Sequence, residues 1–299
     1  MYYLHYYNKL SKNERELYKK ILKGIKNLES IVEINATFKK TEICEILRGI
    51  IYDHCELFYL DINSIEYSNN KIYLKYLLNL CEIGCFENKI VRYIKNNFSI
   101  CKEKTDYDKV HFVHDFIAKT VVYDSNKSSF LSIINKGSGN CMAIVMLAKL
   151  IFDYLNICSI LCENRKNKHA WNLVKIDNKW YELDITKDIN KYGVIIHTFL
   201  NITTDEMVRM CGLTNNTNIK CLSNDANYYQ RNNLIFNNID QIVLYAVKNV
   251  KDERKFEFKI NDDSKYDYTE IIINKLNNYG LHFKYGFKET HTQVYVLSK

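Results

Sequence analysis

The chain has 299 residues, 47% hydrophobic and 26% charged, with a formal net charge of +7. That size allows one core with appendages or more than one minimal domain, and the composition is that of a soluble globular protein. The charge is modest and contains no Lys/Arg block, which argues against a nucleic-acid partner; the longest apolar stretch, 143–161, is broken by Lys149, Asp153 and Asn156, which argues against a membrane span.

The first twenty residues include Lys9, Lys12, Glu14, Arg15 and Glu16 and no apolar run. No cleavable signal peptide is expected in this stretch, which points to a cytoplasmic location or to a signal removed beforehand. Ser11-Lys-Asn-Glu14 is a capping box, followed by Leu17, Ile21, Leu22, Ile25 and Leu28 at helical spacing. A short strand is expected at 31–34 and a helix at 41–53. Residues 65–76 read as a hairpin turning at Asn69-Asn70, and a helix follows at 87–97. This first third carries no catalytic signature.

A helix is predicted at 105–121, with Val110, Val113, Phe116 and Ile117 inward. After the turn Lys136-Gly-Ser-Gly-Asn140, an apolar-periodic segment over 142–157 predicts a buried helix opened by Cys141. Strands follow at 157–162, 170–176 and 179–185, the last two joined by the turn pair Asp177-Asn178. Residues 210–227 are polar, rich in Asn and Thr, and read as a linker. Beyond them come a strand to Phe236, helices at 240–250 and 268–278, and strands at 255–260, 281–287 and 292–297. Proline is absent, so Gly, Asn and Asp carry the turn signals. The ten cysteines lack a dense pattern and are expected to be reduced and mostly buried.

Cys141 stands where unpaired N–H groups and the helix dipole favour a thiolate. With Asp177-Asn178 as a two-residue turn, Ile176 pairs Lys179, Trp171 faces Asp184 and His169 faces Thr186. His169 and Asp184 then share one face as diagonal neighbours. A carboxylate on one imidazole nitrogen leaves the other for the thiol, so Cys141, His169 and Asp184 supply nucleophile, base and orienter. Asp188 is a rival orienter beyond the predicted strand. His111 and His114, three apart on one helix, suggest a metal face, but no carboxylate or cysteine set completes it in the sequence, and no metal is expected. The loop Arg165-Lys-Asn-Lys168 before His169 is either a solvated turn or a basic rim. No acidic loop resembles a calcium site.

The stretches Gly139-Asn-Cys141, His169-Ala-Trp-Asn172 and Trp180-Tyr-Glu-Leu-Asp184-Ile-Thr186 resemble the core motifs of the bacterial transglutaminase-like superfamily. His114-Asp115 and Tyr123-Asp124 are similar to it as well. The resemblance covers roughly residues 105–205 and implies an α+β, papain-like transglutaminase core with a helix packed on an antiparallel sheet. It divides the chain into an N-terminal α+β extension (1–104), the core (105–209), a linker (210–227) and a small C-terminal α/β region (228–299). It implies catalysis by Cys141, His169 and Asp184 without cofactor or metal, supported by Trp171 and Asn172, on protein or peptide amides. Acyl transfer and hydrolysis both fit, and a catalytically silent binding or scaffold module is the alternative. Two departures stand out. Ala143 occupies a position where many members have Gly, and Lys187 replaces a Trp, where its ammonium could compete for Asp184. Oligomeric state is not legible.

Overall fold

The structure, a computed structural model, describes residues 3–34, 38–127, 130–189, 195–250, 255–261, 266–289 and 292–298. The N-terminal part holds α1 (His5–Lys9), α2 (Lys12–Lys26), β1 (Ile31–Glu33), α3 (Lys40–Asp53), β2 (Glu66–Ser68), β3 (Lys71–Tyr73) and α4 (Leu80–Phe98). The middle part holds α5 (Asp106–Thr120), β4 (Val122–Tyr123), α6 (Phe130–Lys136), β5 (Ser138–Gly139), α7 (Cys141–Tyr154), β6 (Ser159–Asn164), β7 (His169–Ile176), β8 (Lys179–Leu183), α8 (Ile185–Asp188) and α9 (Thr204–Cys211). The C-terminal part holds α10 (Tyr228–Arg231), β9 (Ile235–Phe236), α11 (Ile239–Asn249), β10 (Lys255–Ile260), α12 (Thr269–Asn278), β11 (Tyr285–Lys288) and β12 (Val294–Ser298).

The Ser11 capping box starts α2 as its spacing predicts. Helix α4 begins seven residues before the predicted start at 87, because Asn79 and Glu82 form a second capping box. The β2–β3 hairpin turns on Asn69 and Asn70, at φ 50° and 58°, and β1 pairs with β3 to give the order β1-β3-β2.

The fold is α+β, centred on α7. Every residue from 143 to 152 of that helix is buried. Lys149 is enclosed with them, its ammonium satisfied by two bonds of 2.5 and 2.7 Å to Asp153. The antiparallel sheet β6-β7-β8 packs on α7. Strand β7 alternates: Ala170, Val174 and Ile176 join the cluster around α7, while Trp171 and Leu173 join a separate cluster on the outer face with Phe199, Ile202, Met207, Leu213 and Cys221. The inner cluster runs from Leu17 to Ala226 and so takes in the N-terminal helices. Of residues 210–227, expected as a linker, the first two close α9, and 212–227 carry no helix or strand yet cover the outer face through Leu213 and Cys221. The C-terminal sheet, in the order β11-β12-β10-β9, packs against α11 and α12 as a third cluster. Where a strand leading to Phe236 is predicted, the short helix α10 comes first and β9 holds two residues. Among the described residues, no helix is long and apolar enough to cross a membrane.

Asp53, at the end of α3, fastens α1 to the molecule. Its buried carboxylate accepts the backbone N–H groups of Tyr6 at 3.1 Å and Tyr7 at 2.8 Å, and the Tyr18 hydroxyl at 3.1 Å. The Asp53→Ala variant orphans all three donors. Urea denaturation is expected to show a loss of about 2–4 kcal/mol, and an unchanged midpoint would contradict the anchoring role.

Candidate active site

The site is assembled where the starts of α7 and β7 and the end of β8 meet. Gly137, at φ 64°, turns the chain out of α6. Strand β5 then pairs in parallel with β4, setting Tyr123 opposite Gly139. A Cβ on Gly139 would lie 2.7 Å from Ile133 Cγ1 and 2.9 Å from the Ala143 Cβ, so glycine is what lets the turn close on the helix. Asn140 caps the helix, its Oδ1 accepting the Ala143 N–H at 3.1 Å. Cys141 is therefore the first residue of α7, half-buried, as its position in the sequence predicts.

His169 is the first residue of β7, and Asp184 follows β8 directly. The register from Ile176–Lys179 to Asn172–Leu183 follows from the turn at Asp177 and Asn178, whose φ angles are 48° and 65°. The expected pairing of His169 with Thr186 does not occur. The ladder stops at Leu183 because Asp184 caps the short helix α8, its Oδ1 accepting the Lys187 N–H at 3.3 Å. The other carboxylate oxygen, Oδ2, lies 2.6 Å from His169 Nε2. That leaves Nδ1 free of Asp184, and the Cys141 thiol and the His169 ring are near enough to influence each other's ionisation.

Electrostatics at the site favour an ion pair. Burial pushes the Cys141 thiol up, but the His169 imidazole and the Ala170 and Met142 N–H groups outweigh it and leave the pKa lowered. Burial works against the imidazolium of His169, yet the Asp184 charge and its hydrogen bond raise the pKa to about 9.

The supporting residues are placed on both faces of the sheet. The Trp171 ring is parallel-stacked with His169, 5.8 Å between centroids, and its Nε1 donates to Glu182 at 2.6 Å. Glu182 is fully buried and also accepts from Thr204 Oγ1 and Asn215 Nδ2, each at 2.8 Å. Asn172 Nδ2 donates to Val145 O at 3.3 Å, tying β7 to α7.

Lys187 does not compete for Asp184 through its ammonium, which sits 5.5 Å from the Phe199 ring centroid. Asp188 is turned elsewhere: its Oδ2 is 3.1 Å from His114 Nε2 and accepts the Phe199 N–H at 2.9 Å. In the loop read as a solvated turn or a basic rim, the Arg165 guanidinium is paired with Glu45 and Glu163. Tyr123 stands near Cys141 and Asp184, and burial together with their negative charges pushes its hydroxyl pKa up. The cysteines depart from expectation. All ten are free, but only Cys55, Cys101, Cys162 and Cys221 are buried, and Cys44, Cys81 and Cys85 are exposed on α3 and α4.

Residues 94–185 match the model of the Transglutaminase-like superfamily. Two solved structures resemble parts of the chain. One is a candidate cysteine protease from Cytophaga hutchinsonii, 22% identical over 37% of this chain and 41% of that one, at a TM-score of 0.29. The other is a TGase, 14% identical over 61% of this chain and 50% of that one, at a TM-score of 0.33. The chain thus spans half or less of the length of these proteins. Among curated proteins, none matches it.

Exposure and thiolate character separate experimentally. At pH 6, iodoacetamide is expected to modify Cys141 ahead of the more exposed Cys44, Cys81 and Cys85, as read by peptide mass mapping. Asp184→Asn removes the charge that holds the imidazolium up to about pH 9, so its pKa falls and labelling of Cys141 at pH 6 slows. Equal rates at all accessible cysteines would contradict the ion pair.

Proposed function

Taking residues 94–185 as a core of the transglutaminase-like superfamily, we propose that the protein is a cysteine-dependent acyl transferase or hydrolase acting on carboxamide or peptide carbonyls. The observation that carries this reading is the 2.6 Å His169–Asp184 bond beside a cysteine at the first turn of a buried helix. The chain division that goes with it has a catalytic core at 105–209, flanked by the N-terminal extension and, beyond 210–227, the C-terminal region.

In the resting state the thiol proton resides on His169. The Cys141 sulfur attacks the carbonyl carbon, and the carbonyl electron pair moves to oxygen. The Cys141 backbone N–H is one donor to that oxyanion, and the Tyr123 hydroxyl is the second, each worth about 2.7–4 kcal/mol. The His169 imidazolium then gives its proton to the leaving nitrogen as the C–N bond breaks, leaving a thioester. Either an amine or water adds next, with His169 taking its proton and keeping it as the C–S bond breaks and the sulfur leaves as thiolate, which restores the resting pair. Asp184 holds the ring in register and stabilises its charged form.

The test is a panel of casein with a dansylated amine, assayed for amine incorporation, ammonia release and new peptide termini. Cys141→Ala is expected to abolish whichever product forms, and Asp184→Asn to lower kcat by about 10³–10⁴-fold. Tyr123→Phe is expected to lower kcat by about 10²–10³-fold with KM little changed. If the parent and Cys141→Ala are indistinguishable across the panel, the chain is a binding module that keeps the fold without turnover.

A further inference from the structure

Away from Cys141, α5 carries a second polar cluster that the mechanism does not use. His111 and Asp115 are one turn apart on that helix, and His197 meets them from the segment after α8. The sequence suggests His111 with His114 as partners on one face. The structure instead turns His114 Nε2 toward Asp188 and brings Asp115 and His197 to His111.

Two of the three spacings are those of ligands around one ion, and the third is that of a hydrogen bond. His111 Nε2 lies 3.3 Å from His197 Nε2 and 3.4 Å from Asp115 Oδ2, and His197 Nε2 lies 2.9 Å from Asp115 Oδ1. Tetrahedral bonds of about 2.0–2.2 Å to a central ion put ligand atoms about 3.3–3.6 Å apart. Two imidazole nitrogens facing each other at this range cannot both donate, so at least one presents its lone pair to the other. The lone pair on that ring is available to a metal ion.

Each of two ligands is also backed by a further group, as metal ligands are. His197 Nδ1 is hydrogen-bonded to the buried carboxylate of Glu257 on β10, which fixes the ring with Nε2 toward the cluster. Glu257 itself takes the Tyr229 hydroxyl at 3.2 Å and the Lys255 ammonium at 2.9 Å. The Tyr228 ring stacks on His197 at 3.8 Å between centroids. Asp115 Oδ1 is held by His114 Nδ1 at 2.8 Å. The side chains of His111 and Asp115 keep 29% and 37% of their exposure, so one side of the cluster is open for entry and for a fourth ligand.

We propose that His111, Asp115 and His197 form a binding site for a divalent transition-metal ion of the Zn2+ class. Two imidazoles and one carboxylate suit that ion, whereas Mg2+ and Ca2+ favour all-oxygen sets. The ion braces α5 against the segment that carries Phe199 and, through Glu257, against the C-terminal sheet. It is independent of the reaction at Cys141.

The test uses the full chain as Cys141→Ala, stripped with a chelator, so that the site cysteine cannot hold the metal. Zn2+ is titrated against a chromophoric chelator, and Co2+ is added as a spectroscopic stand-in. One equivalent of Zn2+ is expected to bind and to raise Tm, with Mg2+ having no effect. Bound Co2+ should give visible d–d bands without thiolate charge transfer. His111→Ala and Asp115→Asn alter half-exposed groups, and each is expected to weaken Zn2+ by more than about tenfold while circular dichroism stays unchanged; Glu257→Gln is expected to cost about 10–100-fold. The site is overturned if no single equivalent titrates, if Co2+ reports thiolate ligation, or if His111→Ala and Asp115→Asn bind Zn2+ as tightly as the parent.

Discussion

The enclosure of α7 is the constraint on which the rest of the structure depends. A helix that is apolar around nearly its whole circumference, with Lys149 satisfied by Asp153, has little face to offer to water. Residues 143–152 are accordingly buried on every side, with α4, α5 and α6 covering what the sheet β6-β7-β8 leaves open. The N-terminal helices are thus part of the same burial that shapes the site. Only the two ends keep contact with solvent, Asp153 and Tyr154 at the last turn and Cys141 and Met142 at the first. That end is where the unpaired N–H groups lie, so burying the helix body also directs the positive end of its dipole toward the sulfur.

What could be read from the letters was local. The apolar run after Gly139-Asn140 announces α7, and the Asp177-Asn178 pair sets a register that brings His169 and Asp184 together. Both signals act within a few residues, and both have a geometric consequence that propagates by simple counting. Capping chemistry was legible in principle at α4 and α9, where Asn79 with Glu82 and Thr203 with Glu206 form boxes. At α9 the surrounding Asn and Thr residues mask it, and Met207 is the one residue of that helix that is fully enclosed. Helix α6 is seven residues long, too short to show a period.

Other features depend on contacts distant in sequence. Asn215 reaches Glu182, and Cys221 N donates to Thr204 Oγ1 at 2.9 Å, so a stretch that looks like a linker is fastened to the sheet by polar atoms. Likewise Ile202 extends the sheet through reciprocal backbone bonds with Glu182, of 2.9 and 3.0 Å. No periodicity announces such a partner. The His111–Asp115–His197 grouping is of the same kind. Its third member arrives from 82 residues beyond Asp115, which is why a count along α5 alone finds an incomplete set.

The two carboxylates at either end of α8 show how a one-turn helix separates rivals. Asp184 and Asp188 are four residues apart, and either would suit a histidine. The backbone of Phe199 decides between them: its carbonyl accepts the Asp184 N–H at 3.2 Å, while its own N–H goes to Asp188 Oδ2. Asp188 is thereby committed to His114 and the α5 side, and Asp184 is free to face His169. Lys187 lies between the two, where its charge would weaken the His169–Asp184 attraction if it reached the carboxylate. It contributes its backbone N–H to Asp184 Oδ1 instead, and the Phe199 ring holds its ammonium. The departure from the superfamily pattern at this position therefore leaves the acid–imidazole pair electrically intact, and the same phenylalanine that sorts the carboxylates also keeps the cation off them.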